Sequence, residues 1–452
     1  MLLFVHDEAT PGLRPFGGAS RWWLDKSLAA FAARIEAAGG QLTLRAGASA
    51  DVLPALIAET GADSVFWNRR YQKAERDLDG ALMETLKAGG IAVSRFNGRL
   101  LNEPWQIETG AGGDYKVFTP YWKAVKARYR APDALPAPTS LAGPDLASGA
   151  LSDWALHPTR PDWTDGLDAT WTPGEVGALD RLSDFLDGPV NAYADARNRP
   201  DIDTGTSRLS PHLRFGEIGP AQVWRAVRHG VDSGRLDETG AMTFLSEIGW
   251  REFSYSLLFH NPDLASENYN PDFRHMPWRS DRVAYRAWCR GETGYPIVDA
   301  GMRQLWQTGF MHNRVRMIVA SFLTKHLLLP WQIGEDWFWD TLVDADPAAN
   351  PASWQWTAGS GADAAPYFRV FNPIIQGRKF DATGAYVRRW CPELSALPDK
   401  YLHAPWEADA ATLHTANLSL GTNYPEPLVD HPTARQRALD AYATLKDRRD
   451  AA

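Results

Sequence analysis

Residues 344–373 read DADPAANPASWQWTAGSGADAAPYFRVFNP, a run that ordinary core-building does not call for. It sets Asp344 and Asp346 two residues apart, follows them with Asn350, and places Trp354 and Trp356 two residues apart as well. A small-residue turn then leads into Pro366-Tyr367-Phe368-Arg369. Two acids at this spacing can begin a metal site, but no His or Cys lies at ligand spacing and the oxygen ligands are too few. No metal is therefore expected. The ordinary account of the indoles is packing, because large rings dominate core burial.

Working outward, residues 181–452 carry apolar residues at helical spacing with few strand signals, which predicts an all-helical domain. Residues 1–130 change period repeatedly. Residues 2–5 read as a strand, Ser20 as the cap of a helical pattern ending at Gly39-Gly40, and 42–45 as a strand. A second helix stops at Gly61, 64–67 is a strand, 71–87 is helical and 91–94 is a strand. Strand and helix in turn predict a parallel sheet with crossover helices. Between the two lies a stretch, 131–180, rich in Pro, Ala, Asp, Ser and Gly and without a sustained apolar period. It is expected to be an interdomain linker lying on the surface.

A chain of 452 residues suits two domains. Two cysteines, Cys289 and Cys391, cannot build a disulfide framework, and no long apolar run appears. These features predict a soluble, cytoplasmic protein without a membrane partner. The net charge of −8 excludes a surface coated in positive charge, so any nucleic-acid partner must meet a local basic cleft.

Three further runs bear polar groups at suggestive spacing. Thr206-Ser207-Arg208-Leu209-Ser210, after Gly205, offers N–H and O–H donors of the kind that wrap phosphate oxygens, although a helix N-cap is the simpler reading. Glu247, Trp250 and Arg251 fall at i, i+3 and i+4 of a helix, which by itself describes a surface Glu–Arg pair beside a core tryptophan. The segment 311–317, MHNRVRM, is expensive to bury without partners and alone reads as a solvated basic face.

Together these runs resemble the cryptochrome/photolyase family of light-driven flavoproteins, and the resemblance spans almost the whole chain. It implies an α/β domain over residues 1–130, built on a Rossmann-like parallel sheet, followed by an all-α FAD-binding catalytic domain over residues 181–452. The implied function is light-dependent DNA repair, the splitting of cyclobutane pyrimidine dimers by an electron from excited reduced FAD after the dimer flips out of UV-damaged DNA. The alternative within the family is a cryptochrome-type blue-light photosensor. A nicotinamide oxidoreductase has only Gly110-Ala111-Gly112-Gly113 in its favour, too weak a fingerprint.

The resemblance also assigns residues. Tyr193, Thr206, Ser207, Arg208, Leu209 and Ser210 match the FAD diphosphate loop; Arg251, Arg316, Asp344 and Asp346 match flavin and ribose partners. Asn350 falls beside the flavin N5 atom, where an amide without an acidic proton favours the anionic reduced form. Glu247, Trp250, Asn313, Met317 and Trp356 match the lesion pocket, and Arg314 faces DNA. Asn313 and Met317 stand where enzymes acting on the (6-4) photoproduct have histidines, which points to the cyclobutane dimer. Trp354, Trp331 and Trp278 match an electron-transfer chain from flavin to surface. Arg369, Arg378 and Lys379 are expected to grip phosphates. The resemblance departs where a second asparagine gives way to Pro351.

It departs again at the beginning, where residues 2–5 match the family's second strand. The expectation is a sheet lacking its usual first strand, with the edges of both neighbours exposed, from a misassigned translation start or a truncation rather than a natural loss. An antenna chromophore is left open: a folate, a deazaflavin, another flavin or none. The folate-binding glutamate is missing from Ala111-Gly112-Gly113-Asp114. A monomer is expected.

Overall fold

The computed structural model describes all residues except 134, 365–367 and 451–452, and does not describe the side chains of 446–450. Pro366 and Tyr367 of the opening run lie outside the described residues. The chain divides into two compact units. One comprises Met1–Leu186, Arg208–Leu236 and Leu245–Pro262; the other comprises Asp187–Ser207, Asp237–Phe244 and Asp263–Ala452.

The first unit opens with alternating elements: β1 (Leu2–His6), α1 (Gly18–Ala37), β2 (Leu42–Ala46), α2 (Ser49–Thr60), β3 (Ser64–Asn68), α3 (Lys73–Ala88) and β4 (Ala92–Phe96). Ser20 lies inside α1 rather than capping it; the N-cap is Gly17, and no side chain bonds there. The stop at Gly61 is as read, with its backbone left-handed at φ 67°, a conformation that glycine adopts without a Cβ penalty.

All pairing is parallel, but the four strands form two two-stranded sheets and not one. β1 pairs with β2, with Phe4 opposite Leu44, and β3 pairs with β4, with Phe66 opposite Ser94. No ladder joins β1 to β3 among the described residues. A parallel strand normally buries both faces. Here every residue of β1 is only half-buried, Phe66 is 64% exposed and Phe96 53%.

Residues 131–180 hold more structure than composition suggested. The backbone N–H of Leu44 donates to Ser148 Oγ at 2.9 Å, and that of Gly149 donates to the Leu44 carbonyl at 2.9 Å, so the segment runs beside β2. A short helix, Asp165–Thr170, follows, and Leu156, Leu167 and Trp171 are buried. Scattered single apolar anchors carry no period, which is why the pattern did not reveal them.

The second unit is built of helices around one large core that includes Trp288, Trp331, Phe338 and Trp354. Gly334, one turn after Trp331 in the helix Trp331–Thr341, shows why that core closes. A Cβ there would stand 2.2 Å from the Trp354 ring, so only glycine lets the indole lie against the helix. No described helix is long and apolar enough to cross a membrane.

Candidate active site

The run that begins at Asp344 forms one part of a cluster in the helical unit. Asp346 Oδ1 accepts from the N–H groups of Ala348 and Ala349, both at 2.8 Å, and so anchors the start of the helix Ala349–Ala358. That helix carries Asn350, Trp354 and Trp356. Asp344 Oδ2 accepts from Arg316 Nη2 at 2.9 Å, while Arg316 Nε donates to the Met311 carbonyl at 2.7 Å. Both guanidinium contacts hold Arg316 on the helix Asn313–Ser321, facing the acidic run. Burial is affordable because the charges are paired.

Asn350 is 8% exposed, and its Nδ2 donates to Glu335 Oε1 at 2.8 Å and to the Glu335 carbonyl at 3.1 Å. Both amide hydrogens are thereby committed, which fixes the side-chain orientation and its Oδ1 direction. Glu335 is 1% exposed and was not singled out in sequence; lying fifteen residues away on another helix, it gives no local signal.

Of the three tryptophans expected to conduct electrons, two share one core and the third is half-buried. Trp354 is 2% exposed, Trp331 is fully buried, and Trp278 is half-buried. Trp331 Nε1 donates to Asn268 Oδ1 at 2.9 Å, whereas the buried Trp354 Nε1 has no hydrogen-bond partner. The Trp354 ring also meets Trp288 edge-on at 6.1 Å and Phe338 at 5.0 Å. Trp356 is tied down by Nε1 donating to the Asp363 carbonyl at 3.0 Å.

Asn313 is exposed at the first position of its helix, and Met317, one turn on, is half-buried on the same side. Arg314 is tied to its neighbours in the helical unit. It is half-buried, its Nη2 donates to Asn198 Oδ1 at 2.6 Å, and it lies 4.5 Å from the Phe380 ring. Arg369, Arg378 and Lys379 are exposed, Arg378 being paired with Glu407 at 3.0 Å.

The loop 205–210 does not follow the simple capping pattern. The helix Ser210–Phe215 is preceded by Leu209 without a side-chain cap, and Arg208 holds a left-handed φ of 51°. A non-glycine residue in that region costs energy, which marks the loop as shaped for something besides starting a helix. Tyr193, upstream, is 6% exposed and packs edge-on against Phe244 at 5.5 Å, with Arg197 over its ring.

In the other unit, Glu247, Trp250 and Arg251 share the helix Glu238–His260. Trp250, half-buried, stacks on Phe118 at 3.8 Å and 10° and meets Phe253 edge-on at 6.0 Å. Gly249 is required by the indole of Trp122, 2.6 Å from where a Cβ would stand. Arg251 is not the surface partner of Glu247 that spacing alone suggested. Its Nη1 donates to the Arg99 carbonyl at 2.7 Å, and the guanidinium lies 4.9 Å from the Tyr255 ring. Beside it Glu252, 1% exposed, accepts from the N–H groups of Leu101 and Asn102 at 2.7 and 3.2 Å. Burial pushes its carboxyl up to about 7, against the lowering by Arg251 and the two N–H donors.

Comparison with known proteins decides what these clusters belong to. The family model described as the FAD binding domain of DNA photolyase matches residues 244–444, and the DNA photolyase model matches residues 1–139. A deoxyribodipyrimidine photo-lyase of Agrobacterium fabrum is 53% identical over 434 residues, covering 96% of this chain and 90% of the relative. The chain belongs to the DNA photolyase/cryptochrome family.

Its likeness within that family is graded. A crystal structure of a bacterial class III photolyase from Agrobacterium tumefaciens superposes with a TM-score of 0.95 at 51% identity, covering 99% of this chain and 92% of that one. Cryptochrome-1 of Arabidopsis thaliana is 36% identical, covering 98% of this chain but 66% of its own length. FAD is the cofactor of this photolyase-family chain, and the residues of the helical unit suit it. A half-buried guanidinium paired with a buried carboxylate, an amide fixed by Glu335, and an indole N–H without a protein partner supply polar groups for a flat heterocycle.

Proposed function

We propose that this protein repairs cyclobutane pyrimidine dimers in UV-damaged DNA in a light-dependent reaction, acting as a deoxyribodipyrimidine photo-lyase. The observation that carries the reading is the Asp344–Arg316 and Asn350–Glu335 cluster, in the unit whose core holds Trp354 and Trp331, within a family match spanning nearly the whole chain. Reduced FAD, when bound, supplies the photoexcited electron that opens the cyclobutane ring and takes it back afterwards.

The chain's own residues hold, orient and insulate. Tyr193, Thr206, Ser207, Arg208, Leu209 and Ser210 bind the diphosphate; Arg251, Arg316, Asp344 and Asp346 orient the ring and ribose. Asn350 presents an amide with no acidic proton and so favours the anionic reduced ring. Glu247 accepts from the lesion, Trp250 and Trp356 stack against it, and Asn313 and Met317 shape the pocket. Arg314, Arg369, Arg378 and Lys379 contribute to phosphate binding, which makes affinity fall with salt. Trp354, Trp331 and Trp278 carry electrons inward to restore the reduced state. Residues 181–452 form the catalytic domain, 1–130 an antenna-type domain and 131–180 the link between them. The protein acts as a cytoplasmic monomer.

The test mixes UV-irradiated oligothymidine with reduced protein in blue light and in darkness, following the return of thymine absorbance. Recovery in light alone is the expected result. No recovery by flavin-loaded protein would favour the photosensor. Glu247→Gln should lower the repair yield with FAD retained, by about tenfold if the lost charge-assisted bond is worth about 1.5 kcal/mol. An unchanged yield removes that role from Glu247.

A further inference from the structure

Lys325, in the helical unit, is 1% exposed and has no carboxylate within ion-pair distance among the described residues. A buried amine without a counter-charge is costly, and burial drives its pKa well down. Packing alone does not call for it, because a methionine would fill the same space without that cost.

Its place is set by a π turn. The helix Asn313–Ser321 continues into Phe322–His326, where the N–H of Leu327 donates to the Phe322 carbonyl, five residues back, at 3.0 Å. Such turns recur at functional sites. Lys325 Nζ donates to the Ala358 carbonyl at 2.6 Å. Ala358 is the last residue of the helix Ala349–Ala358, where carbonyls have no partner within the helix, and Trp356 lies in that same last turn. One hydrogen bond therefore ties the continuation of the helix bearing Asn313 and Met317 to the end of the helix bearing Trp356. The amine also sits 3.3 Å from the Phe368 ring, which stacks on Tyr442 at 4.6 Å and 7° and directly precedes the exposed Arg369. A recess of about 60 Å³ gathers these groups, with Ser321, Lys325, Trp356, Phe368, Arg369 and Tyr442 among its lining residues.

We propose that Lys325 is a positioning residue for the lesion: its hold on Ala358 fixes the plane of Trp356 against Asn313 and Met317. The inference rests on the reading of Trp356 as a ring that stacks on the flipped dimer. Asn350 and Trp354 lie earlier in the same helix, whose start is anchored separately by Asp346 and Glu335. Loss of the Lys325 bond therefore loosens the lesion side and spares the flavin side.

The test measures dissociation constants of the FAD-loaded chain in darkness, for oligothymidine carrying one cyclobutane dimer and for undamaged oligothymidine. Lys325→Met is expected to bind the dimer about tenfold more weakly, as for the loss of one strong hydrogen bond, with affinity for the undamaged strand and flavin photoreduction as in the parent. Lys325→Arg is expected to stay within about threefold of the parent, because it keeps a donor and the adjoining recess has room for the guanidinium. A lysine serving stability alone would lower the melting temperature and move both affinities and photoreduction together, and that result overturns the proposal. So does parental dimer affinity in Lys325→Met. Should that variant fail to fold, Lys325→Gln decides in its place: its amide ends short of Ala358, a loss of at least about threefold is expected, and parental affinity overturns the proposal. Trp356→Ala separates the two readings. If it leaves dimer affinity unaltered, the lesion role of Trp356 fails and this inference with it; if it weakens the dimer while Lys325→Met does not, Lys325 alone loses its role.

Discussion

The strands of the first unit and the core of the helical unit treat side chains in opposite ways. Outside β2, which buries Leu42 and Leu44, strand residues that are apolar by sequence stand half-buried or exposed: Phe66 and Phe96 stack on each other at 6.4 Å, and each is more than half exposed. In the helical unit, residues that are polar by sequence are buried: Lys325 is 1% exposed, and Glu335, Asn350 and Gln355 are also enclosed. The difference teaches that burial follows the partner and not the side chain. Gln355 is fully buried because its Nε2 donates to the carbonyls of Leu264 and Glu267 and its Oε1 accepts from the Tyr269 N–H. Lys325 is tolerated because Nζ donates to the Ala358 carbonyl at 2.6 Å and sits 3.3 Å from the Phe368 ring, although burial drives its pKa well down. Phe66, packed on Phe96 alone among the described rings, is left 64% exposed.

The sharpest way to break that comparison is Glu335→Ala. It strands the buried Asn350 amide, and stability should fall by about 2 kcal/mol, since a buried donor left without its acceptor costs about 1–3 kcal/mol. Denaturant unfolding with FAD bound and removed checks this, and an unchanged midpoint would mean that the partner is dispensable. Trp331→Phe keeps the packing but replaces an oxidisable indole. Photoreduction of the oxidised flavin should slow by about tenfold or more, equivalent to about 1.4 kcal/mol of barrier, with repair by pre-reduced enzyme spared. Equal loss of both activities would make Trp331 a packing residue only.

Glu252 offers a pH test from the first unit. Its folded pKa of about 7 stands above the ordinary 4.5, so the folded protein holds this proton to higher pH than the unfolded chain. The contribution to stability is full below pH 4.5 and is lost as pH rises toward 7. Glu252→Gln should flatten that part of the melting-temperature profile, because a glutamine oxygen can still accept from Leu101 and Asn102. A parallel slope would contradict the assigned protonation. The smallest effect belongs to the strands: Phe66→Ser and Phe96→Ser should each change stability by no more than about 0.5 kcal/mol, as for other exposed positions. A loss of several times that would show these rings to be covered in solution.

Much of the fold was legible because it is periodic. Four strands, three intervening helices and a long helical region follow from alternation between periods of 2 and 3.6. The residues of 344–356 could be grouped from sequence because they are local: Asp346 accepts from the N–H groups of Ala348 and Ala349 just ahead of Asn350, Trp354 and Trp356. The hydroxyl-rich loop was visible, but not the left-handed Arg208 within it. Glu335, Asn268 and Gln355 were invisible as functional supports, since each acts on a residue far away in the chain. Nothing local in the sequence pointed to Asn198, 116 residues upstream, as a hydrogen-bond partner of Arg314.

By itself, then, the sequence determined the element types, the family, the FAD cofactor and the chemistry carried by contiguous runs, because backbone periodicity and short-range capping are local physics. Tertiary structure alone decided which carboxylate pairs with Arg316, how Asn350 is oriented, which face of Trp250 is covered, and that four parallel strands stand as two pairs. Those outcomes depend on groups distant in sequence competing for the same donors, acceptors and apolar surface, and that competition exists only once the chain has closed on itself.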